Sequence, residues 1–379
     1  MRTWIELDSE ALDHNLKMLR HIWPGKMGFV LKSNAYGHGI VPMLEHLCKR
    51  GNPGDYVCVA HAEEACAVRK GGWKEALLIL AYVEEKDIFY LKHLNAECVL
   101  FSQESFALFD QWTRTHRIRM NVHIKINTGM NRLGIEIHEL EELLQKLCRH
   151  PYLHVNGLLS HCFDSAAYST VATEEQTQLF EHGKKLCSTY FPSLTTHIYA
   201  SGSCSLPPRH TMVRCGSALY GFYKSREHQE RLAVTHSSVN YLQILSWKTK
   251  IMQVRNVQAG SHVGYGTDST VKRDTLVSIL PVGYSDGYPR DLSHKAGVLL
   301  DGHYSPLCGS VSMDLMAIDV TDIPHVHVGQ EVTLTSCDPR ISLSEWARQL
   351  DSLPFTLSAG LASRIPRFLG KPETGLCKI

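Results

Sequence analysis

One lysine is placed where its surroundings favour chemistry. The segment 29–39 ends an apolar, strand-like run in Lys32 and then turns through Gly37 and Gly39. Apolar surroundings disfavour the ammonium form of a lysine and lower its pKa. An unprotonated amine can form a Schiff base with a carbonyl cofactor such as pyridoxal phosphate. The alternative, a strand-end lysine whose side chain extends into water, stays open on this segment alone.

Other polar residues follow predicted strands further along the chain. Arg132 ends a glycine-containing turn, and its planar guanidinium suits a carboxylate. His161 follows the sixth strand, where a packing role is the alternative to catalysis. Ser201, Gly216 and Ser217 lie in small-residue turns after strands seven and eight, whose backbone N–H groups commonly bind phosphate in a (β/α)8 barrel.

Two further side chains need an explanation. Arg214 lies within an apolar run, where a buried charge without a partner is costly, so a partner is expected. Tyr265 lies between Gly264 and Gly266, whose backbone freedom could project its ring outward. An ordinary turn tyrosine is the alternative for this short motif.

The elements that position these residues follow an alternating pattern. Short apolar β-type runs alternate with helical patterns, as in a parallel sheet built from βα units. The predicted strands are 27–31, 55–60, 76–82, 97–101, 120–126, 155–160, 197–201 and 212–214. Eight repeats predict an α/β fold with an N-terminal (β/α)8 TIM-type barrel, and Lys32 ends its first strand, at the face where such barrels carry active sites. An open doubly wound sheet is the alternative, although no early GxGxxG turn is present.

Helices are predicted before, within and after this barrel. The segment 8–22 is predicted as a leading helix with Asp8 or Ser9 at its cap. Further predicted helices are 41–49, 63–69, 103–114, 139–149, 174–189 and 344–350.

After residue 240 the pattern changes to β-type runs separated by turns. These runs are 245–254, 275–282, 298–301, 313–320 and 331–335. We therefore predict a barrel domain over 1–236 and a mainly β C-terminal domain over 237–379.

Composition restricts the possible partners. The chain has 379 residues, with 39 Lys and Arg against 38 Asp and Glu, and no charged block that would suit nucleic acid or a membrane surface. The acidic N-terminal segment lacks the apolar core of a signal peptide, which predicts a cytoplasmic location. The 12 cysteines are scattered without a CxxC pair, so neither a metal site nor a disulfide framework is predicted.

Taken together, these stretches resemble the alanine racemases, pyridoxal phosphate enzymes with a barrel and a β domain. The resemblance covers nearly the whole chain because its motifs occur in the family order. They are LKSNAYGHG, KINTGMNRLG, SHC, ASGS, VRCGSALYG, VGYGT, VGYSDGYPR and SVSMD.

The resemblance implies a cofactor site for pyridoxal 5'-phosphate. Lys32 would hold the cofactor covalently, and Tyr36 would contact its phosphate. The remaining phosphate contacts implied by the family are Ser201, Gly216 and Ser217.

The resemblance also implies roles around the reacting atoms. Arg214 would face the pyridine nitrogen, where an arginine disfavours protonation. Arg132 would bind near the cofactor phenolate oxygen and the substrate carboxylate, and His161 would link Tyr265 with Arg214.

Racemisation removes a proton from one face of Cα and returns it to the other. The family assigns Lys32 to the D-alanine side and Tyr265 to the L-alanine side as the two bases. Tyr265, Tyr284 and Met313 would come from a second subunit, so a homodimer with shared active sites is implied. The implied role is supply of D-alanine for peptidoglycan.

Four positions qualify the resemblance. Asn127, Ser310 and Ser363 stand where many members have Asp, Arg and a phosphate-binding Tyr, and Lys125 matches a lysine that some members carry carbamylated. Alternatives are a racemase of broader specificity for serine or lysine, a decarboxylase of the same fold, and a non-catalytic cofactor carrier. Arg214 argues against the decarboxylase, and residues 241–379 argue against the carrier.

Overall fold

The computed structural model describes residues 1–164, 170–203, 209–266 and 269–371. Its strands are β1 (Thr3–Leu7), β2 (Lys26–Val30), β3 (Tyr56–Val59), β4 (Ala76–Ile79), β5 (Glu97–Leu100), β6 (Met120–Lys125), β7 (Leu153–Leu159), β8 (Thr195–His197), β9 (Met212–Cys215), β10 (Leu245–Lys250), β11 (Gln253–Val257), β12 (Thr275–Leu280), β13 (Gly297–Leu300), β14 (His303–Pro306), β15 (Met316–Asp319), β16 (Glu331–Thr335) and β17 (Arg367–Leu369).

Strands β2 to β9 form the predicted barrel. They are parallel, in the order β8-β7-β6-β5-β4-β3-β2-β9. The two ends approach each other, because the Thr211 amide donates to the Thr196 carbonyl at 3.1 Å and the Arg214 amide to the Tyr199 carbonyl at 3.1 Å. The predicted fold class is confirmed, and each of the eight predicted strands overlaps an observed one, although the seventh, predicted at 197–201, is Thr195–His197 and shares only His197 with the prediction.

The barrel strands are buried on both faces, which explains their nearly continuous apolar runs. All four residues of β3, β5 and β9 are buried. Strands of a parallel sheet covered by helices have this pattern.

The surrounding helices bury one apolar stripe each. In the leading helix Ser9–Ile22, Leu12, Leu16 and Leu19 are buried at helical spacing, and the Asp8 carboxylate caps the first turn. The other helices of six or more residues among the described ones are Ile40–Arg50, Ala62–Lys70, Glu85–Leu94, Gln103–His116, Leu140–Cys148, Thr170–Tyr190, Arg226–Thr235, Leu343–Gln349 and Pro354–Ala359. The sequence did not predict Glu85–Leu94, Arg226–Thr235 or Pro354–Ala359.

The C-terminal part is mainly β, as predicted. One sheet has the order β14-β13-β16-β10-β1-β17, and a second has the order β11-β12-β15. The run 245–254, predicted as one strand, is two strands in different sheets. Ile251 bonds to Gln330 whereas Met252 bonds to Ile279, so the chain changes sheets between these two residues.

The first strand lies in the C-terminal sheet. β1 pairs antiparallel with β10 and parallel with β17. The sequence did not predict β1 or β17, because both are short and are stabilised by partners distant in sequence. The predicted division into 1–236 and 237–379 stays a prediction, with this crossing strand as a structural addition.

Two kinds of feature are absent from the residues that the structure describes. No helix there has both the length and the apolar character to cross a bilayer. No group of three His, Cys, Asp or Glu side chains converges there in a way that could hold a metal ion.

Candidate active site

A cavity of about 460 Å³ opens where the barrel strands end. It brings together the eight barrel residues that the sequence singled out. They are Lys32, Tyr36, Arg132, His161, Ser201, Arg214, Gly216 and Ser217. Lys125, Lys224 and Phe355 line the same cavity.

Lys32 lies two positions after the end of β2, in an environment that favours its neutral amine. Burial lowers the pKa of Lys32, and the positive charges of Arg132 and Arg214 lower it further. Glu64 acts in the opposite direction. The amine is thereby disposed toward nucleophilic and proton-accepting chemistry.

The turn after Lys32 has a left-handed backbone. Ser33, Asn34 and Ala35 have φ between 51° and 55°, and Tyr36 continues the turn at 54°. Each non-glycine residue in this region costs about 1–2 kcal/mol, so surrounding contacts must impose it.

Glu64 provides part of that constraint. One carboxylate oxygen accepts from the amides of Ser33 at 2.5 Å and Asn34 at 3.4 Å, and the other accepts from the amide of Ala60 at 2.8 Å. The amide of Ile40 donates to the Asn34 side chain at 3.1 Å, which fixes the exit of the turn.

Tyr36 directs its hydroxyl at the turn after β9. Its ring packs on Tyr220 with centroids 4.9 Å apart, and burial raises the pKa of Tyr36 to about 12, so it is a hydrogen-bond donor at neutral pH. A Cβ on Gly216 would lie 2.8 Å from the Tyr36 hydroxyl oxygen. The Ser201 hydroxyl accepts from the amide of Gly216 at 2.9 Å and holds this turn close to β8. Small residues and a neutral phenol thus form one wall of the cavity.

Arg214 is buried and held by five acceptors. Its guanidinium donates to the carbonyls of Ser160, His197 and Ile198 at 2.6, 2.9 and 3.0 Å. It also donates to Nδ1 of His197 at 2.6 Å and to Nδ1 of His161 at 2.9 Å. Burial lowers the pKa of Arg214 to about 10, which leaves it charged at neutral pH. The partner expected from the sequence is therefore a set of carbonyls and imidazoles.

Asn127 shapes the turn that carries Arg132. Its amide group donates to Asn131 and to Glu136 at 2.8 Å each, and its oxygen accepts from the amides of Gly129 and Asn131 at 3.1 Å. The turn is therefore ordered by a neutral side chain.

The cavity surface is strongly cationic. Five cations line it, namely Lys32, Lys125, Arg132, Arg214 and Lys224, and no Asp or Glu is among the described lining residues. Burial, assisted by Arg214, Arg132 and Lys32, lowers the pKa of Lys125 to about 8. Burial also lowers the pKa of Lys224. Such a surface suits a ligand with several negative charges.

Tyr265 and Met313 lie elsewhere in this subunit. Tyr265 is 71% exposed and Met313 56% exposed, and neither lines the cavity. Their loops pack together with the loop of Tyr284, whose amide donates to the Ser312 carbonyl at 3.0 Å. A Cβ on Gly309 would lie 2.2 Å from the Val263 carbonyl, so these loops approach closely. Three motifs that are distant in sequence thus share one exposed face.

Sequence reasoning missed several residues of this site. Lys224 lies after β9 without a recognisable motif, and Phe355 lies in the helix Pro354–Ala359, which the sequence did not predict. Glu64 has only the spacing of an ordinary helix residue. His197 ends a strand whose sequence, Thr-Thr-His, gave no signal of contact with Arg214.

Comparison with known proteins agrees with this architecture. Residues 7–224 match the family described as alanine racemase, N-terminal domain, and residues 244–369 match alanine racemase, C-terminal domain. Alanine racemase of Symbiobacterium thermophilum is 31% identical over 389 residues, covering 97% of each chain. That of Methylacidiphilum infernorum is 31% identical over 376 residues, covering 97% of this chain and 92% of the relative.

Solved structures show the same fold. The alanine racemase of Clostridium difficile 630 superposes with a TM-score of 0.90 at 22% identity, covering 98% of this chain and 96% of that one. The alanine racemase of Bacillus anthracis with bound L-Ala-P gives a TM-score of 0.86 at 26% identity, covering 98% and 95%. The solved structures therefore share with this chain a parallel barrel followed by a mainly β domain.

The chain belongs to the alanine racemase family. It is an isomerase that racemises alanine, and the predicted enzyme class is confirmed.

Proposed function

We propose that the chain interconverts L-alanine and D-alanine with pyridoxal 5'-phosphate held at Lys32. Lys32 and Tyr265 of the partner subunit are the two bases in this proposal. The observation that supports it best is the position of Lys32, whose amine has a lowered pKa among four further cations of one cavity.

The cavity fits this cofactor. Its volume of about 460 Å³ lies within the range of small-molecule sites. The Tyr36 hydroxyl, the Ser201 and Ser217 turns and the small Gly216 would hold a phosphate, and the cationic surface would balance its charge. Bound pyridoxal phosphate withdraws electrons from Cα of an attached amino acid and makes the Cα proton acidic.

Arg214 would lie at the pyridine nitrogen. Its five hydrogen bonds keep the guanidinium in one orientation, and its positive charge disfavours a proton on a neighbouring nitrogen. His161 accepts from Arg214 on Nδ1, which leaves Nε2 to donate toward the cavity. In this proposal that donor faces Tyr265 of the partner subunit.

The two bases act on opposite faces of Cα. On the D-alanine side, Nζ of Lys32 accepts the proton from Cα or donates it back. The lowered pKa of Lys32 suits this role. Tyr265 of the partner subunit does the same on the L-alanine side through its phenolic oxygen. Arg132 binds the substrate carboxylate, and Met313 of the partner subunit contacts the substrate.

The exposed face with Tyr265, Tyr284 and Met313 supports a homodimer with shared active sites. An uncovered tyrosine and methionine on neighbouring loops are suited to close a second subunit's cavity. We further propose that the enzyme works in the cytoplasm and supplies D-alanine for peptidoglycan, as the family resemblance implies.

The test is incubation of the cofactor-loaded protein in D₂O with L-alanine, D-alanine, L-serine and L-lysine. Loss of optical purity and deuterium at Cα are measured together. We expect both to occur with either alanine enantiomer and to be slower with serine and lysine. Equal rates with serine or lysine would favour the broader racemase, and loss of CO₂ a decarboxylase. No deuterium at Cα of alanine would contradict the proposal.

A further inference from the structure

A row of buried polar side chains continues from Arg214 across the inside of the barrel. Nη1 of Arg214 lies 2.6 Å from Nδ1 of His197, whose Nε2 lies 2.9 Å from Nδ1 of His123. Nε2 of His123 lies 2.6 Å from Oε2 of Glu97. These residues belong to β9, β8, β6 and β5, and all are buried. We call Glu97, His123, His197 and Arg214 the hydrogen-bond relay.

The available donors and acceptors allow the hydrogen bonds of the relay to run in one direction only, with each group donating toward Glu97. A guanidinium has no acceptor, so Nδ1 of His197 accepts and its ring proton lies on Nε2. That proton is donated to His123, which is then protonated on Nε2 and donates to the carboxylate of Glu97. The reverse direction would leave His197 without a ring proton. Burial and the charge of Arg214 hold the pKa of His197 well below its usual range, in agreement with a neutral ring.

A glycine on the intervening strand makes room for the relay. β7 lies between β6 and β8, and Gly157 is in register with His123. A Cβ at position 157 would lie 2.2 Å from Nδ1 of His123, the atom that accepts from His197. Any side chain at this position would therefore displace the imidazole.

Glu97, at the other end of the relay, carries a negative charge that compensates the positive charge of Arg214. All five acceptors of its guanidinium are neutral carbonyls or imidazoles. A buried cation is costly when no anion interacts with it. Glu97 is the carboxylate at the other end of the relay, and the Asn156 amide also donates to it, at 3.2 Å. Polarised hydrogen bonds through two imidazoles connect the two charges.

We propose that Glu97, His123 and His197 are positioning residues that fix the orientation and balance the charge of Arg214. They act through Arg214 and do not touch the substrate. This inference rests on the proposed function, because that function places Arg214 at the cofactor ring.

The first test is Glu97→Gln, which keeps an acceptor oxygen of similar size and removes the charge. We expect kcat for alanine to fall about tenfold, because Arg214 is then less firmly held. KM for alanine should change by less than about twofold, since the substrate contacts remain. The visible absorbance band of the bound cofactor should shift in wavelength or intensity.

Asp110→Asn is the matched control. Asp110 and His150 form another carboxylate–imidazole pair at 2.6 Å with a buried imidazole, and neither lines the cavity. This variant should lower the melting temperature and leave both kcat and the absorbance band unchanged.

The second test, Gly157→Ala, moves His123 without changing any relay group. It should reproduce the spectral shift and the loss of kcat. Gly183→Ala is its control, because a Cβ there would lie 2.6 Å from the Ile126 Cδ1 methyl, outside the relay. If the buried Glu97→Gln variant does not fold, Gly157→Ala and the double variant Glu97→Leu with His123→Leu, which removes both partners of one bond, serve in its place.

Wild-type kcat and an unchanged absorbance band in the folded variants would overturn the relay. So would a loss of activity in proportion to the unfolded fraction alone. Failure of the proposed function has a different signature, since the wild-type protein would then leave the Cα proton of alanine unexchanged. The absorbance band of the cofactor-loaded variants would still test the relay in that case.

Discussion

The two proposed bases have very different surroundings within one subunit. Lys32 lines the cavity beside other cations, and desolvation together with the charges of Arg132 and Arg214 lowers its pKa, which favours its neutral amine. Tyr265 is 71% exposed and lies between two glycines with positive φ. In the proposed mechanism the barrel sets the surroundings of Lys32, and a partner subunit would set those of Tyr265.

Tyr265→Phe removes one base and leaves the aromatic ring. We expect racemisation to fall by about 10²- to 10⁴-fold, because the L-alanine side loses its proton carrier, while the cofactor absorbance band stays. Rates are measured in both directions by loss of optical purity. Tyr304→Phe, a change at another exposed tyrosine of the same domain, should leave the rates unchanged. Full activity of Tyr265→Phe would refute the two-base assignment.

The lowered pKa of Lys125 predicts that the stability of the cofactor-free protein depends on pH. Its pKa is about 8 in the folded protein, below the ordinary lysine pKa of 10.5, so the unfolded chain binds more protons between these two values. The free energy of unfolding should therefore rise with pH in that window. Lys125→Met should be more stable than wild type at pH 7, by about 3 kcal/mol at most, and lose this advantage by about pH 10.

The measurement is urea unfolding of cofactor-free protein at several pH values. Lys49→Met, at an exposed helix position, is the control and should show no pH-dependent advantage. If the free energy of unfolding differs between Lys125→Met and wild type by the same amount throughout this pH window, the explanation by a buried Lys125 charge is wrong.

At the scale of elements, the left-handed turn after β2 is built by its neighbours. The Glu64 carboxylate bonds to three amides, two of them in the turn. Gly37 ends the turn at φ 81°, and a Cβ there would lie 1.8 Å from the Ser358 carbonyl. The turn that positions Lys32 is thus clamped between a barrel helix and a helix near the C-terminus.

Glu64→Ala should loosen this turn. Loss of the acceptor leaves backbone amides unpaired, so we expect about 1–3 kcal/mol lower stability and weaker cofactor retention. Both are measured, by unfolding and by dialysis followed by absorbance. The neighbouring exposed Glu63→Ala is the matched control and should behave as wild type. Equal behaviour of the two variants would show that other contacts hold the turn.

At the scale of the whole molecule, the two parts of the chain are interlocked. β1 adds the N-terminus to the C-terminal sheet, and Arg367 donates to the Gly37 carbonyl at 3.0 Å. Strand pairing and a side-chain hydrogen bond therefore join the C-terminal part of the chain to the barrel. In the proposed homodimer, each subunit would complete the cavity of the other.

Subunit mixing tests the shared site. Lys32→Ala and Tyr265→Phe homodimers should both be inactive. After exchange of subunits at equal concentration, half of the dimers are mixed, and each of these has one complete site, so roughly a quarter of wild-type activity should return. A mixture of Lys32→Ala with the double variant is the control and should stay inactive. No recovery, with mixed dimers present, would contradict shared sites.

The sequence by itself determined the eight barrel strands and the position of Lys32 at their mouth. Both depend on local periodicity, because a strand buried on both faces reads as an apolar run wherever its partners lie. The small-residue turns at Ser201 and Gly216, which are proposed to bind phosphate, were also predictable from local sequence. Their small residues serve a local backbone conformation and close approach.

Only the tertiary structure decided which distant residues meet. β1 joins β10 and β17 across more than 200 residues, and the left-handed turn is held by Glu64 and Ser358 from two other elements. The hydrogen-bond relay of Glu97, His123 and His197 likewise crosses several strands. Within its own segment, each of these side chains looks like an ordinary residue. Contacts between residues that are distant in sequence produce no periodic pattern from which they could be predicted.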